Sequence, residues 1–245
     1  RSGDRGMPEE HNRILTDHVS DVLCTTGPIA SEQLRQEGVP SSRILEVGDV
    51  MLDLALAAKM KVQNRGLKGW PTGDAPVMVT TLHRPATVDH PPLLQGALDA
   101  MAQWAEATGG TVVFPVHPRT QKVIDAEGMT MPPGLVNPGA MGYLDVQAAL
   151  CMADVVLTDS GGLQKEAWYQ GTPAVILRDT TEWRELIEMG ASVLFDPAQL
   201  SSPSGPSALV NQLRNAPVVP PVKGSGLLGE GLAAQRLLTG LLNRI

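Results

Sequence analysis

The sequence predicts an α/β fold built on a doubly wound parallel sheet, and three observations carry that expectation. From Pro76 onward, short apolar runs alternate with segments of helical spacing, the pattern of parallel strands flanked by helices. One of those runs, Ala153 to Leu157, passes through Thr158-Asp159-Ser160 directly into Gly161-Gly162 and a helix-forming stretch. Polar clusters follow several other runs, at the strand ends where open α/β sheets place their ligands.

Taken in order, Pro8 to Val19 reads as a helix with Glu9 and Glu10 in its first turn, and Val22 to Thr25 as a short strand. A helix from about Ser31 to Glu37, a strand from Ile44 to Gly48 and a helix from Asp49 to Lys61 follow. The Gly-, Pro- and Trp-bearing stretch Asn64 to Ala75 reads as a linker. The regular part has strands at Val77–Thr81, Thr111–Val116, Leu135–Val136, Val155–Leu157, Ala174–Leu177 and Ser192–Leu194. Helical segments separate them at Leu93–Ala107, Thr120–Ala126, Tyr143–Met152, Gly162–Tyr169 and Trp183–Met189. Pro197 to Gly229 holds one short helical stretch among Pro and Gly residues, and Ala233 to Leu242 closes the chain as an amphipathic helix. No internal repeat is visible.

At 245 residues the chain has enough material for one core, or one core and part of a second. The net charge of −7 and the lack of a basic stripe argue against a nucleic-acid partner, because phosphate backbones demand clustered Lys and Arg. No run approaches the ~20 apolar residues that span a bilayer, and no signal peptide opens the sequence, so a soluble, cytoplasmic protein without a membrane partner is expected. Cys24 and Cys151 sit in apolar contexts without metal-ligand spacing, which predicts two reduced, buried thiols and no metal or other cofactor. The opening R-S-G-D-R-G-M-P-E-E-H-N-R, with no leading Met, reads as a polar loop entered from an upstream element, so a preceding portion is expected.

The segment around Ser160 carries the most specific chemistry. Ser160 would cap the helix, Gly161 and Gly162 would let an anion approach the unpaired N–H groups of its first turn, and Glu166 would face sugar hydroxyls. Alone, D-S-G-G is equally compatible with a capped turn. A second polar cluster, Arg178-Asp179-Thr180-Thr181-Glu182-Trp183, follows the next strand, although Glu182 and Glu185 also suit the start of a helix with Trp183 packed beneath. His83-Arg84 and His117-Pro118-Arg119 end two further strands. Imidazole and guanidinium both suit phosphate, while a His satisfied by a backbone carbonyl beside a surface Arg is the plainer reading of either site alone. Two such sites facing the Ser160 loop favour ligand contact. Glu9 and Glu10 need no role beyond the helix dipole, Asp145 suits a first-turn charge, and His11, His18 and His90 read as surface residues.

In order, P-E-E-H-N-R-x-L-T-D-H, G-D-V-M-L-D, T-L-H-R, P-V-H-P-R-T, M-G-Y-L-D, L-T-D-S-G-G-L-Q-K-E-A and R-D-T-T-E-W resemble the non-hydrolysing UDP-N-acetylglucosamine 2-epimerase family over almost the whole chain. The resemblance implies a Rossmann-like doubly wound sheet in a GT-B-like two-domain architecture, with the active site in the cleft between the halves and the N-terminal domain largely missing here. It implies residues 1–47 as the remnant of that domain, 48–75 as a crossover helix and linker, 76–229 as the UDP-binding domain and 230–245 as a helix returning toward the N-terminal half. Its chemistry interconverts UDP-N-acetylglucosamine and its manno epimer: the C2 proton is removed, UDP is expelled to leave 2-acetamidoglucal, and UDP adds back with C2 inverted. No redox cofactor is needed. By resemblance Glu9 and His83 are catalytic, the latter assisting UDP departure. Arg84, His117, Arg119, Tyr143, Ser160, Gly161, Gly162, Glu166, Arg178, Thr181 and Glu182 contact UDP or the sugar. A homodimer serving polysaccharide synthesis is implied as well. Pro85-Ala86 stands where the family often has a Glu, and T-E-W replaces T-E-R-P, a form found in relatives acting on other UDP-sugars. A glycosyltransferase of the same architecture and a non-catalytic UDP-sugar-binding protein are the rival expectations.

Overall fold

Strands buried on both faces read as near-continuous apolar runs, and Val77–Thr81, Val155–Thr158 and Ala174–Ile176 do so apart from their terminal threonines. The structure, a computed structural model, describes residues 5–6, 8–62, 67, 70–71, 73–220, 222 and 225–244. Its elements run α1 (Pro8–Val19), β1 (Leu23–Thr25), α2 (Pro28–Gln36), β2 (Ile44–Glu46), α3 (Val50–Val62), β3 (Val77–Thr81), α4 (Pro85–Val88), α5 (Pro91–Thr108) and β4 (Thr111–Val113). They continue with α6 (Pro118–Ala126), β5 (Leu135–Val136), α7 (Tyr143–Met152), β6 (Val155–Thr158), α8 (Gly161–Gln170), β7 (Ala174–Ile176), α9 (Arg184–Glu188), β8 (Ser192–Leu194), α10 (Gly205–Arg214) and α11 (Ala233–Leu242).

The chain forms two compact units, Ala58–Pro220 in one and Arg1–Ala57 with Pro221–Ile245 in the other. The larger unit holds a fully parallel sheet in the order β5-β4-β3-β6-β7-β8. The chain winds outward from β3 in one direction, then returns to β6 and winds outward in the other. That reversal puts a topological switch point between β3 and β6, where the connecting loops diverge and leave a crevice outside the carboxyl ends.

Alternation along each strand divides the core. Met78, Val112, Phe114, Val155, Leu157 and Val175 join one cluster with Leu98 and Met101 of α5 and Leu209 of α10. Their neighbours Val77, Val79, Val113, Val156 and Ile176 face the other side, against Leu150 of α7 and Leu163 and Ala167 of α8. In the smaller unit β1 and β2 pair in parallel over Leu23, Leu34, Val39 and Ile44. There Asp53 of α3 accepts from the N–H groups of Ala233 and Ala234 at 3.0 and 2.8 Å, capping α11.

Several element boundaries differ from expectation, with a shared cause. α2, α5 and α6 begin at Pro28, Pro91 and Pro118, earlier than spacing suggests, and α4 begins at Pro85 where no helix is expected. Proline fits the first helical position because the N–H it lacks would have no intrahelical acceptor there. β4 stops at Val113, and Phe114 continues as buried irregular chain. The thiols are a correction: Cys24 and Cys151 are exposed. Cys24 occupies the outward position of β1, between buried Leu23 and Thr25, and Cys151 lies in the last turn of α7. Residues 64–66, 68, 69 and 72 of the expected linker, and 1–4 and 7 of the opening segment, lie outside the described residues. Among the described residues no helix is long and apolar enough to cross a membrane, and no group of three or more His, Cys, Asp or Glu side chains is arranged to hold a metal ion.

Candidate functional site

The switch point is tied together by a carboxylate that sequence reasoning passed over. Asp159, fully buried between β6 and α8, accepts through Oδ2 from the backbone N–H groups of His83 at 2.8 Å and Arg84 at 2.7 Å. Its Oδ1 lies 2.9 Å from His83 Nδ1, an ion-pair distance, although the ring stands off the line of an ideal N–H···O bond and leaves that oxygen without a well-aligned donor. Immediately before, the hydroxyls of Thr81 and Thr158 join the ends of β3 and β6 at 2.7 Å. The loop leaving β3 is thereby held against the start of α8.

α8 opens with its N-terminus toward this loop. Ser160 caps it, accepting through Oγ from the N–H of Leu163 at 3.4 Å, and Gly171 closes it in the left-handed conformation. Gly161 leaves room for its neighbours: a Cβ there would lie 2.6 Å from Glu182 Oε1, which would have to shift, and 3.7 Å from Arg84 Nη2. Glu182 in turn accepts from Arg178 Nη1 at 2.8 Å. Burial pulls the Glu182 carboxyl upward, but its own backbone N–H and Arg178, with Arg84 beyond, hold it below the ordinary range. The loop after β7 is clamped to α8 by Thr181, whose hydroxyl donates to Gln164 Oε1 at 2.8 Å, while Gln164 Nε2 reaches Ser160 O at 3.4 Å. Lys165 Nζ sits 3.9 Å above the Trp183 ring.

Beside this cluster is a cavity of about 470 Å³, lined among others by His83, His117, Ser160, Gly162, Glu166 and Met141. The rings of His83 and His117 stand 5.5 Å apart, inclined by 40°. His117 precedes α6, and its Nδ1 accepts from the N–H of Arg119 at 3.1 Å. Tyr143, at the start of α7, has its phenol pushed up to about 12, first by burial and then by the negative charge of Glu166.

The expected site residues therefore fall into groups. His83, His117, Ser160, Gly162 and Glu166 line the cavity, while Arg84, Gly161, Arg178, Thr181 and Glu182 gather at the α8 N-terminus or on the loop clamped to it. Tyr143 is within electrostatic reach of Glu166. Arg119 is not among the lining residues; its guanidinium forks onto Asp89 at the surface. Glu9 lies exposed in the first turn of α1, in the other unit, and the adjacent Glu10 is buried and paired with Arg13 at 3.4 Å. Glu182 does not cap α9, which starts after Trp183 with no side-chain cap. The residues missed are Asp159 and Gln164; Asp159 directly follows the buried strand β6, but nothing local in the sequence marks the distant groups it holds.

Residues 1–240 match the family described as UDP-N-acetylglucosamine 2-epimerase. Over 204 residues the chain is 40% identical to the UDP-2,3-diacetamido-2,3-dideoxy-D-glucuronate 2-epimerase of Pseudomonas aeruginosa, covering 81% of this chain and 55% of that protein. Over 225 residues it is 32% identical to a UDP-N-acetylglucosamine 2-epimerase of Methanocaldococcus jannaschii, covering 88% of this chain and 61% of that one. The chain thus spans little more than half the length of these relatives. It also resembles the crystal structure of a Methanocaldococcus jannaschii UDP-GlcNAc 2-epimerase in complex with UDP-GlcNAc and UDP, with a TM-score of 0.80 at 29% identity over 99% of this chain and 67% of that one.

Proposed function

The chain belongs to the UDP-N-acetylglucosamine 2-epimerase family, and from that premise we propose that it is the UDP-binding part, with one catalytic carboxylate, of a non-hydrolysing UDP-N-acetylhexosamine 2-epimerase. The observation that carries the reading is the cavity at the switch point, where a capped, glycine-started helix, a carboxylate in its second turn and a histidine held on the adjacent strand end share one space. In this reading residues 76–229 form the UDP-binding domain, 1–47 and 230–245 belong to the N-terminal half, and 48–75 cross between them. The working form is a cytoplasmic homodimer.

The diphosphate approaches the first-turn N–H groups of α8, with Arg84 and Arg178 as the nearby cations. Glu166 accepts from the ribose hydroxyls, and Tyr143, Thr181 and Glu182 complete the surroundings of UDP. In the reaction a base removes the C2 proton as the C1–O bond breaks, its electron pair leaving with the β-phosphate oxygen of UDP. His83 donates to that oxygen, and Glu9 acts on the sugar. 2-Acetamidoglucal remains, UDP adds back at C1, and a proton is delivered to the opposite face of C2. UDP-N-acetylglucosamine is the proposed substrate.

Calorimetric titration of this chain with UDP tests the binding half of the reading. Binding is expected, and Glu166→Ala should weaken it at least about tenfold, since hydrogen bonds to a charged group contribute about 1.5–3 kcal/mol each. No heat with the native chain, or equal affinity in the variant, would count against it.

A further inference from the structure

Resting on that reading, we propose that Asp159 is a positioning residue that sets the tautomer of His83, so that His83 and His117 present opposite hydrogen-bonding character to the same cavity. The two rings are neighbours at 5.5 Å, yet their Nδ1 atoms meet opposite partners. His117 Nδ1 faces a backbone N–H, that of Arg119, at 3.1 Å and must accept. Neutral His117 therefore carries its proton on Nε2. His83 Nδ1 faces a buried carboxylate oxygen at 2.9 Å, which can only accept, so neutral His83 carries its proton on Nδ1 and leaves Nε2 bare.

The Asp159 carboxylate is fully buried, and its other oxygen already holds the backbone N–H groups of both His83 and Arg84. Oδ1 has no aligned hydrogen-bond partner among the described residues, and buried carboxylate oxygens seldom stay unpaired. Nδ1–H of His83, at 2.9 Å, is the donor placed to satisfy it. One side chain then fixes the path of the loop, the orientation of the ring and the site of its proton. When His83 takes up a second proton at Nε2, the buried negative charge balances the imidazolium. That proton passes from Nε2 to the departing β-phosphate oxygen and returns when UDP adds back.

The test is long-range ¹H–¹⁵N correlation NMR on this chain labelled at histidine, with the two rings assigned from His83→Gln and His117→Gln spectra. The native chain should show neutral His83 protonated at Nδ1 and neutral His117 protonated at Nε2. Asp159→Asn should move the His83 proton toward Nε2 and leave His117 unchanged. A native His83 protonated at Nε2 would overturn the proposal even if the variant failed to fold, and so would a folded variant with an unaltered His83. In the protein from its complete reading frame, Asp159→Asn should lower kcat by up to about 10⁴-fold, as when a carboxylate that fixes a catalytic histidine's tautomer becomes an amide, with UDP affinity within a few-fold. A variant with native kcat would contradict the positioning role. Absence of epimerisation in the native protein would instead refute the functional reading, while the tautomer result would still decide the role of Asp159.

Discussion

Replacing Gly161 with Ala adds one methyl group at the most crowded point of the proposed diphosphate seat. The new Cβ would stand 2.6 Å from Glu182 Oε1, 3.5 Å from its Cδ and 3.7 Å from Arg84 Nη2. A carbon and an oxygen cannot remain that close, so the Glu182 carboxylate must withdraw. It is held by Arg178 at 2.8 Å, and withdrawal weakens a charge-assisted bond of about 1.5–3 kcal/mol or forces a strained rotamer at about 0.5–1.5 kcal/mol. The methyl group also stands where a diphosphate would approach the first-turn N–H groups. A combined loss of about 1–3 kcal/mol corresponds to UDP binding about 5- to 150-fold weaker. Calorimetric titration of native and Gly161→Ala chains measures this directly. Gly171→Ala serves as the control, because it strains the other end of α8, at φ +89, with nothing within 4 Å of the added carbon. Native UDP affinity in Gly161→Ala would refute the placement of the diphosphate at the α8 N-terminus.

Gly171→Ala itself should cost about 1–2 kcal/mol of stability through its left-handed backbone, read by denaturant unfolding, with UDP affinity unchanged. Glu166→Gln should lower the Tyr143 phenol from about 12 toward its ordinary value, since the charge of Glu166 is the second cause of the shift after burial; ultraviolet titration of the two tyrosines reads it. Burial raises the Glu185 carboxyl, so the folded state holds this proton to higher pH than the unfolded chain. Stability from this group is then full below the unfolded carboxylate range and is lost as pH rises through the folded pKa. Glu185→Gln should accordingly raise Tm near neutral pH and change it little at about pH 4, and an equal shift at both would contradict the assignment.

The strand pattern was legible because buried parallel strands leave an apolar signature that tertiary contacts reinforce. Val77–Thr81 and Leu135–Val136 match residue for residue. Helix starts were less legible, because Pro28, Pro85, Pro91 and Pro118 act as first helical residues where a local reading treats proline as an interruption. At the candidate site, Ser160 could be read as a cap because capping involves residues three apart. Asp159 could not be read, because the residues it holds, His83 and Arg84, lie 76 and 75 positions away. Arg119 shows the converse: suitable chemistry in sequence, then a partner in Asp89 at the surface, 30 residues distant. Local motifs announce the helix start, whereas the pairing of charges depends on which loops the sheet order brings together.

The proposed reaction takes place at C2 of a UDP-sugar. Proton NMR of UDP-N-acetylglucosamine in D₂O, with protein from the complete reading frame, tests it most directly. Deuterium at C2 together with the manno epimer is expected, because the proton removed is replaced from solvent. Substrate that keeps both its C2 proton and its configuration would contradict it.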